Sequence, residues 1–133
     1  MPEQGKSVYV RTGEIALDQT ESGLAVLTIN GEHDLSTAPA LRRHLDELLV
    51  DGAPIVVDLS SASFVDSSIL GVILDARRRA ESEGLGFAVA HSNGDDAVGR
   101  VLDVTGLREK LPVHGAREEA ASAASVGAGK KAS

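Results

Sequence analysis

The sequence of 133 residues contains no cysteine and almost no aromatic residues. Without cysteine, neither a disulfide framework nor a thiolate metal site can form. Aromatic residues make up only 2% of the chain although apolar residues make up 42%, so the core must be built from valine, leucine, isoleucine and alanine. Such side chains suit helices that pack on a sheet, and the chain is long enough for one domain of that kind.

The chain is also short of positive charge and of long apolar runs. Lysine and arginine number 13 against 20 acidic residues, and the net charge of −7 argues against a surface that binds nucleic acid. The apolar runs are interrupted and fall well short of the roughly 20 residues that cross a bilayer. The segment Met1 to Ser7 lacks the charge and apolar run of a signal peptide. We therefore expect a cytoplasmic protein whose partners include neither nucleic acid nor a membrane.

The order of apolar and polar residues predicts several strands. Two runs separated by a polar turn, Glu14 to Asp18 and Leu24 to Ile29, are typical of an antiparallel hairpin. The β-branched run Ile55 to Leu59 has the pattern of a central strand that is buried on both faces. Further strands are expected at residues 86–90 and around residues 111–113.

Three helices are expected, and each has a start signal. Small polar residues, whose oxygens accept hydrogen bonds from the unpaired N–H groups of a first turn, precede all three periodic segments. These signals are Ser36-Thr37, Asp66-Ser67-Ser68 and Asn93-Gly94-Asp95. The first helix should bury a leucine stripe, made of Leu41, Leu45, Leu48 and Leu49. Gly84 should end the second helix.

These elements divide the chain into three parts. Residues 1–13 form an N-terminal arm that is a candidate edge strand, and residues 14–115 form the folded domain. Residues 116–133 contain almost nothing large to bury and are predicted to be a disordered Ala/Gly-rich tail. The domain should be an α/β layer fold with helices packed on a mixed, mainly parallel sheet of four to five strands.

The triplet Asp66-Ser67-Ser68, placed between a strand and a helix, is the most informative chemical feature. Its structural interpretation is that Asp and Ser are favoured helix caps. Its functional interpretation is that the same unpaired N–H groups and the helix dipole favour a phosphate, so that the Ser68 hydroxyl could accept a phosphoryl group. The added charge of about −1.5 to −2 would then repel a protein docked on this surface.

Three parts of the sequence resemble one known family. They are Gly31 to Ala38, then Val57 to Ser60 with Phe64 to Ser68 and Leu70 to Val72, and finally Leu102 to Leu107. In this order and spacing they are similar to the motifs of the STAS domain of bacterial anti-sigma-factor antagonists, over roughly residues 14–115. The resemblance implies a STAS-like α/β fold.

The resemblance also implies that the chain is a binding protein that works by partner switching and is not an enzyme. The unphosphorylated chain would bind an anti-sigma factor that is also a serine kinase, which frees the sigma factor. Phosphorylation at Ser68 with ATP would release the chain, and a serine phosphatase would restore it. Asp34 and Asp66 would lie near Ser68 and orient its hydroxyl. No cofactor and no metal is implied.

Three positions near this site have alternative interpretations. The family usually has glycine directly after the phosphoacceptor, where this chain has Ile69, whose β-branched side chain could alter recognition by a kinase. We assign Ile69, together with Asp34, Asp66 and Ser67, to the surroundings of the phosphosite and to the partner-binding surface, although Ile69 could instead be a core residue. Asp34 could simply satisfy backbone donors in its turn. His33, inside that turn, is at a position that we expect to tolerate change.

Two other functions stay open at this level. One is a STAS interaction module that is never phosphorylated and is recruited to another signalling or transport assembly. The other is a small α/β hydrolase or nucleotide-binding enzyme. The histidines do not have the spacing of metal ligands, and no Gly-x-Ser-x-Gly elbow surrounds Ser68. The sequence therefore favours a binding module controlled at Ser68.

Overall fold

A mainly parallel sheet forms the centre of the fold. The structure is a computed structural model that describes residues 13–92 and 96–132, and in these ranges it has six strands and five helices. The strands are β1 (Glu14–Gln19), β2 (Ala25–His33), β3 (Ile55–Asp58), β4 (Ala62–Val65), β5 (Phe87–Ala90) and β6 (Val113–His114). Their order is β1-β2-β3-β5-β6, and β4 pairs with the far end of β2. The predicted α/β class with a mixed, mainly parallel sheet is confirmed.

The predicted hairpin and the predicted central strand are both present. β1 and β2 pair antiparallel, with Ile15 opposite Ile29, and every other pairing in the sheet of the described residues is parallel. β3 lies in the middle of the sheet, and all four of its residues are buried. The β-branched run at residues 55–57 therefore marks a strand that is covered on both faces.

The three predicted helices are present, together with two further ones. They are α1 (Ala38–Asp51), α2 (Ser67–Glu83), α3 (Ala97–Val104), α4 (Leu107–Lys110) and α5 (Arg117–Ala132). Gly84 ends α2 in a left-handed conformation with φ of 77°, as expected. α3 is capped by Asp96, whose carboxylate accepts a hydrogen bond from the N–H of Gly99. The predicted cap at residues 93–95 lies outside the described residues.

The large aliphatic side chains pack between one face of the sheet and the helices α1, α2 and α3. The predicted leucine stripe of α1 is buried in this cluster, and each of its four members is at most 3% exposed. The sheet contributes every second residue of β3, Ile55 and Val57, to the same cluster. Val56 points to the opposite face, because side chains alternate along a strand.

The prediction that residues 116–133 are disordered is wrong for the described part of this segment. α5 begins at Arg117 and covers the second face of the sheet, where Ala120 and Ala124 are completely buried. Alanine has the highest helix propensity, and its small side chain lets a helix approach a sheet closely. A composition argument that counts only large apolar residues does not detect such packing.

Two strands were not placed correctly from the sequence. β4 was not predicted, because it is only four residues long, has two exposed residues and joins β2 after a register shift between Gly31 and Glu32. The strand expected around residues 111–113 is present as β6 but is shifted toward the C-terminus, to Val113–His114. Residues 1–12 of the proposed arm lie outside the described residues. In the part of the chain that is described, none of the helices combines the length and apolarity needed to span a membrane.

Candidate functional site

The pairing of β4 with β2 builds the site. His33 and Val65 are register partners at the carboxyl ends of these two parallel strands. The next residues along the chain, Asp34 and Asp66, therefore start from neighbouring strand ends. This arrangement explains why two segments that are more than 30 residues apart in the sequence meet at one edge of the domain.

Ser68 lies in the first turn of α2, immediately after this strand end. Its side chain is half-buried, and that of Ser67 is exposed. Ser68 also lines a depression in the surface, so it is held by the fold and can be reached from outside. A serine enclosed in the core would have excluded a phosphoacceptor role.

Asp66 caps the helix and also binds the Ser68 hydroxyl. Its Oδ1 accepts hydrogen bonds from the backbone N–H groups of Ser68 (3.0 Å) and Ile69 (3.2 Å). The same oxygen accepts a hydrogen bond from Ser68 Oγ at 2.5 Å. The structural and the functional interpretation of the triplet are therefore compatible, because one carboxylate begins the helix and orients the hydroxyl.

Asp34 has a different role from Asp66. Its Oδ1 accepts hydrogen bonds from Ser36 N (2.9 Å) and Ser36 Oγ (2.6 Å). The hydroxyl bond from Ser36, together with the backbone bond, lowers the pKa of the exposed Asp34 carboxyl. Its side-chain hydrogen bonds in the described part of the molecule are thus local to its own turn, and the Ser68 hydroxyl is bound by Asp66 alone. The structure shows the turn role that the sequence had left as the alternative.

Ile69 is a core residue. It is completely buried and belongs to the aliphatic cluster under α2. Its assignment to the partner-binding surface is therefore wrong, and the core alternative is correct. The side chain points inward because position 69 begins the apolar stripe of α2, which continues through Leu70 and Ile73.

His33 is an organising residue of the site that the sequence did not reveal. It is only 1% exposed, its Nδ1 lies 3.0 Å from Thr37 Oγ1, and its Nε2 lies 3.0 Å from the carbonyl oxygen of Asn30. These bonds tie the end of β2 to the residue that precedes α1. Replacement of His33 would remove both hydrogen bonds and leave a buried space, so we expect it to lower stability, contrary to the tolerance expected from the sequence. Hydrophobic periodicity carries no signal for such a role.

A shallow depression of about 300 Å³ lies beside Ser68 between α1 and α2. Its lining residues are Leu35, Ala38, Pro39, Arg42, Ser68 and Val72. Most of them are apolar, and Leu35 at its rim is 72% exposed. The residues on α1 and α2 recur at spacings of three and four, which is the helical signal that could have identified this surface.

Comparison with known proteins identifies the family. A model of the STAS domain matches residues 15–120, so the chain belongs to the STAS domain family. It is 33% identical over 94 residues to an anti-sigma F factor antagonist of Paenibacillus polymyxa, covering 69% of this chain and 79% of that protein. It is 29% identical over 99 residues to the anti-sigma-B factor antagonist of Bacillus subtilis, covering 74% and 88% respectively.

A solved structure shows the same fold over nearly its whole length. It is an anti-sigma factor antagonist from Mycobacterium paratuberculosis, 27% identical, with a TM-score of 0.71. The match covers 86% of this chain and 95% of the other. The STAS-like fold predicted from the sequence is confirmed.

Proposed function

We propose that this chain is a cytoplasmic anti-sigma-factor antagonist that is switched by phosphorylation at Ser68. In the unphosphorylated form it binds an anti-sigma factor that is also a serine kinase. The observation that carries the proposal is the accessible Ser68 hydroxyl at the start of α2, bound to Asp66 at 2.5 Å. The names of the relatives agree with it, since those proteins are anti-sigma factor antagonists.

The chemistry of the switch is phosphoryl transfer from ATP held by the kinase. Ser68 Oγ forms a bond to the γ-phosphorus, the bond to the β,γ-bridging oxygen breaks, and ADP leaves. The hydroxyl proton departs along its hydrogen bond toward the Asp66 carboxylate and passes on to solvent. The chain itself is the substrate in this step. Hydrolysis of the phosphoester by a serine phosphatase regenerates the hydroxyl.

The surface around Ser68 suits a regulated protein contact. The depression and the exposed Leu35 supply apolar area for a partner. Phosphorylation adds a charge of about −1.5 to −2 at the lining of this depression. Desolvating that charge under a docked protein is costly, so the modified chain is released.

The proposal is tested by incubating the chain with its candidate partner kinase and labelled ATP. We expect one phosphoryl group per chain, complete loss of labelling in Ser68→Ala, and normal labelling in the matched variant Ser82→Ala, which changes an exposed serine at the far end of the same helix. Binding of the unmodified chain to the same kinase should be at least ten-fold tighter than binding of the phosphorylated chain.

Two outcomes would contradict the proposal. Labelling that persists in Ser68→Ala would place the phosphoacceptor elsewhere. Tight binding without any labelling would identify a STAS module that is never phosphorylated.

A further inference from the structure

The helices α1 and α2 lie side by side with a constant offset of 33 residues. Arg42 on α1 forms an ion pair with Asp75 on α2 at 3.3 Å, and Asp46 pairs with Arg79 one turn further along. Both pairs join residues that are 33 positions apart. By the same offset, Ser68 is level with Leu35, at the rim of the depression.

Arg42 is also part of the depression into which Ser68 opens. Among the six lining residues it carries the single charge. Long side chains on a helix lean toward its N-terminus, which on α1 is the end level with Ser68. Arg42 thus contacts Asp75 and also lines the same depression as Ser68, which lies about 10 Å nearer the N-terminus of α2. A phosphoryl group on Ser68 that extends into the depression would be a second anionic partner for the guanidinium.

A phosphoryl group on Ser68 could not keep the present position of the hydroxyl. Ser68 Oγ donates its hydrogen to Asp66, and this hydrogen is lost on phosphorylation. A phosphate dianion would then face the Asp66 carboxylate, and the two groups repel each other. Rotation of the Ser68 side chain to another staggered conformation moves the phosphate away from Asp66. The depression beside Ser68 is open to receive it.

Asp75, the present partner of Arg42, competes only weakly with a phosphate for the guanidinium group. The side chains of Arg42 and Asp75 are 48% and 52% exposed, and ion pairs with that exposure contribute little because water screens them. A phosphate carries more charge than a carboxylate and offers three oxygens to the planar guanidinium fork. Exchange of Asp75 for the phosphate is therefore favourable.

We propose that Arg42 is the receptor for the phosphoryl group of Ser68, and that on phosphorylation it leaves Asp75 and closes over the depression. This inference rests on the proposed function, because it requires a phosphate on Ser68. It adds a second cause of partner release. The phosphate and Arg42 together fill the apolar depression, so the partner loses its contact surface in addition to meeting a charge.

The test uses a chain that carries phosphoserine at position 68, introduced during translation so that no kinase is needed. The second pKa of the phosphate, ordinarily about 6, is followed by phosphorus NMR during a pH titration. A nearby guanidinium lowers this pKa, so we expect Arg42→Gln to raise it by roughly half a unit. Asp75→Asn should lower it slightly, because Arg42 then has no competing partner.

Two matched variants control for general changes of charge. Arg43→Gln removes a neighbouring exposed arginine that does not line the depression, and Asp46→Asn breaks the second ion pair between the helices. Both should leave the phosphate pKa nearly unchanged. Equal shifts in Arg42→Gln and Arg43→Gln, or no shift in either, would overturn the assignment of Arg42.

This result is independent of the kinase experiment. If the kinase labels Ser68 but Arg42→Gln leaves the phosphate pKa unchanged, the switch stands and the receptor assignment fails. If Arg42→Gln shifts the pKa but no kinase labels Ser68, the receptor geometry stands and the proposed function fails.

Discussion

The two faces of the sheet are covered in different ways. On one face, α1, α2 and α3 bury leucine, isoleucine and valine side chains in a thick aliphatic cluster. On the other face, α5 packs against β3, β5 and β6 through alanine, with Ala120 and Ala124 completely buried. The first face gains stability from the size of its side chains, and the second from the close approach of backbone to backbone. The candidate site lies at the edge of the first face.

The α5 face has a polar anchor in addition to its alanines. Arg117 Nε donates to Asp58 Oδ2 at 2.8 Å, and its NH2 group lies 3.0 Å from Thr28 Oγ1. Asp58 is 5% exposed, and a buried carboxylate needs such a partner. The helix is therefore positioned by this contact at its first residue and by close packing further along.

The largest effect is expected in the aliphatic cluster. Leu45 is only 1% exposed. Leu45→Ala leaves a cavity in the cluster, so the free energy of unfolding should fall by about 3 kcal/mol. Urea unfolding followed by circular dichroism measures this. Val50→Ala, on the same helix but 82% exposed, should change it by less than about 0.5 kcal/mol. Equal losses in both variants would contradict the assignment of the core.

The next largest effect on stability is expected on the second face, where α5 packs closely against the chain. A Cβ atom on Gly86 would collide with the carbonyl group of Ala124, whereas a Cβ on Gly71 in α2 meets no atom within 4 Å. Gly86→Ala should therefore destabilise the chain by about 1–3 kcal/mol and increase proteolytic cleavage near Arg117. Gly71→Ala should stabilise it by about 0.5–1 kcal/mol through helix propensity. Close packing of α5 would be refuted if Gly86→Ala were as stable as the parent.

A smaller effect is expected from the helix cap at the site. Asp66→Ala removes the acceptor for two backbone N–H groups and should cost about 1 kcal/mol. Asp96→Ala removes the cap of α3 and also the hydrogen-bond partner of the buried His91, so it should cost at least as much. Only Asp66→Ala should also slow phosphorylation of Ser68, because only Asp66 binds its hydroxyl. A rate assay with the partner kinase compares the two, and equal rates would contradict the orienting role.

The smallest effect concerns the turn that carries Asp34. Its pKa is lowered in the folded chain by the hydrogen bonds from Ser36, so the unfolded state binds its proton more tightly. The resulting stability is present above the unfolded pKa of about 4 and is lost as pH falls through the lower folded value. Ser36→Ala should move the pKa of Asp34 upward in a carbon-detected NMR titration, while Ser67→Ala should not. An unchanged pKa in Ser36→Ala would contradict this cause.

Much of the fold followed from local patterns. The hairpin was predictable from two runs that flank a polar turn, and α1 from the helical period of its leucines. The central strand was predictable from its continuous β-branched run. The start of α2 was predictable because capping by Asp66 is a local interaction that does not depend on tertiary contacts. The same local rule identified Ser68 as a candidate, since the cap and the hydroxyl belong to one turn.

The remainder depended on contacts between distant segments. β4 forms only because the end of β2 is available to pair with it, and α5 is ordered only because a sheet face lies within reach of its alanines. The burial of His33 and Ile69 and the position of Arg42 on the same depression as Ser68 likewise arise from that pairing and packing. Sequence by itself determined which segments form helices and strands and which hydroxyl begins α2, because those properties are local. Tertiary structure decided which side chains surround that hydroxyl, because neighbours in space are set by the packing of the elements.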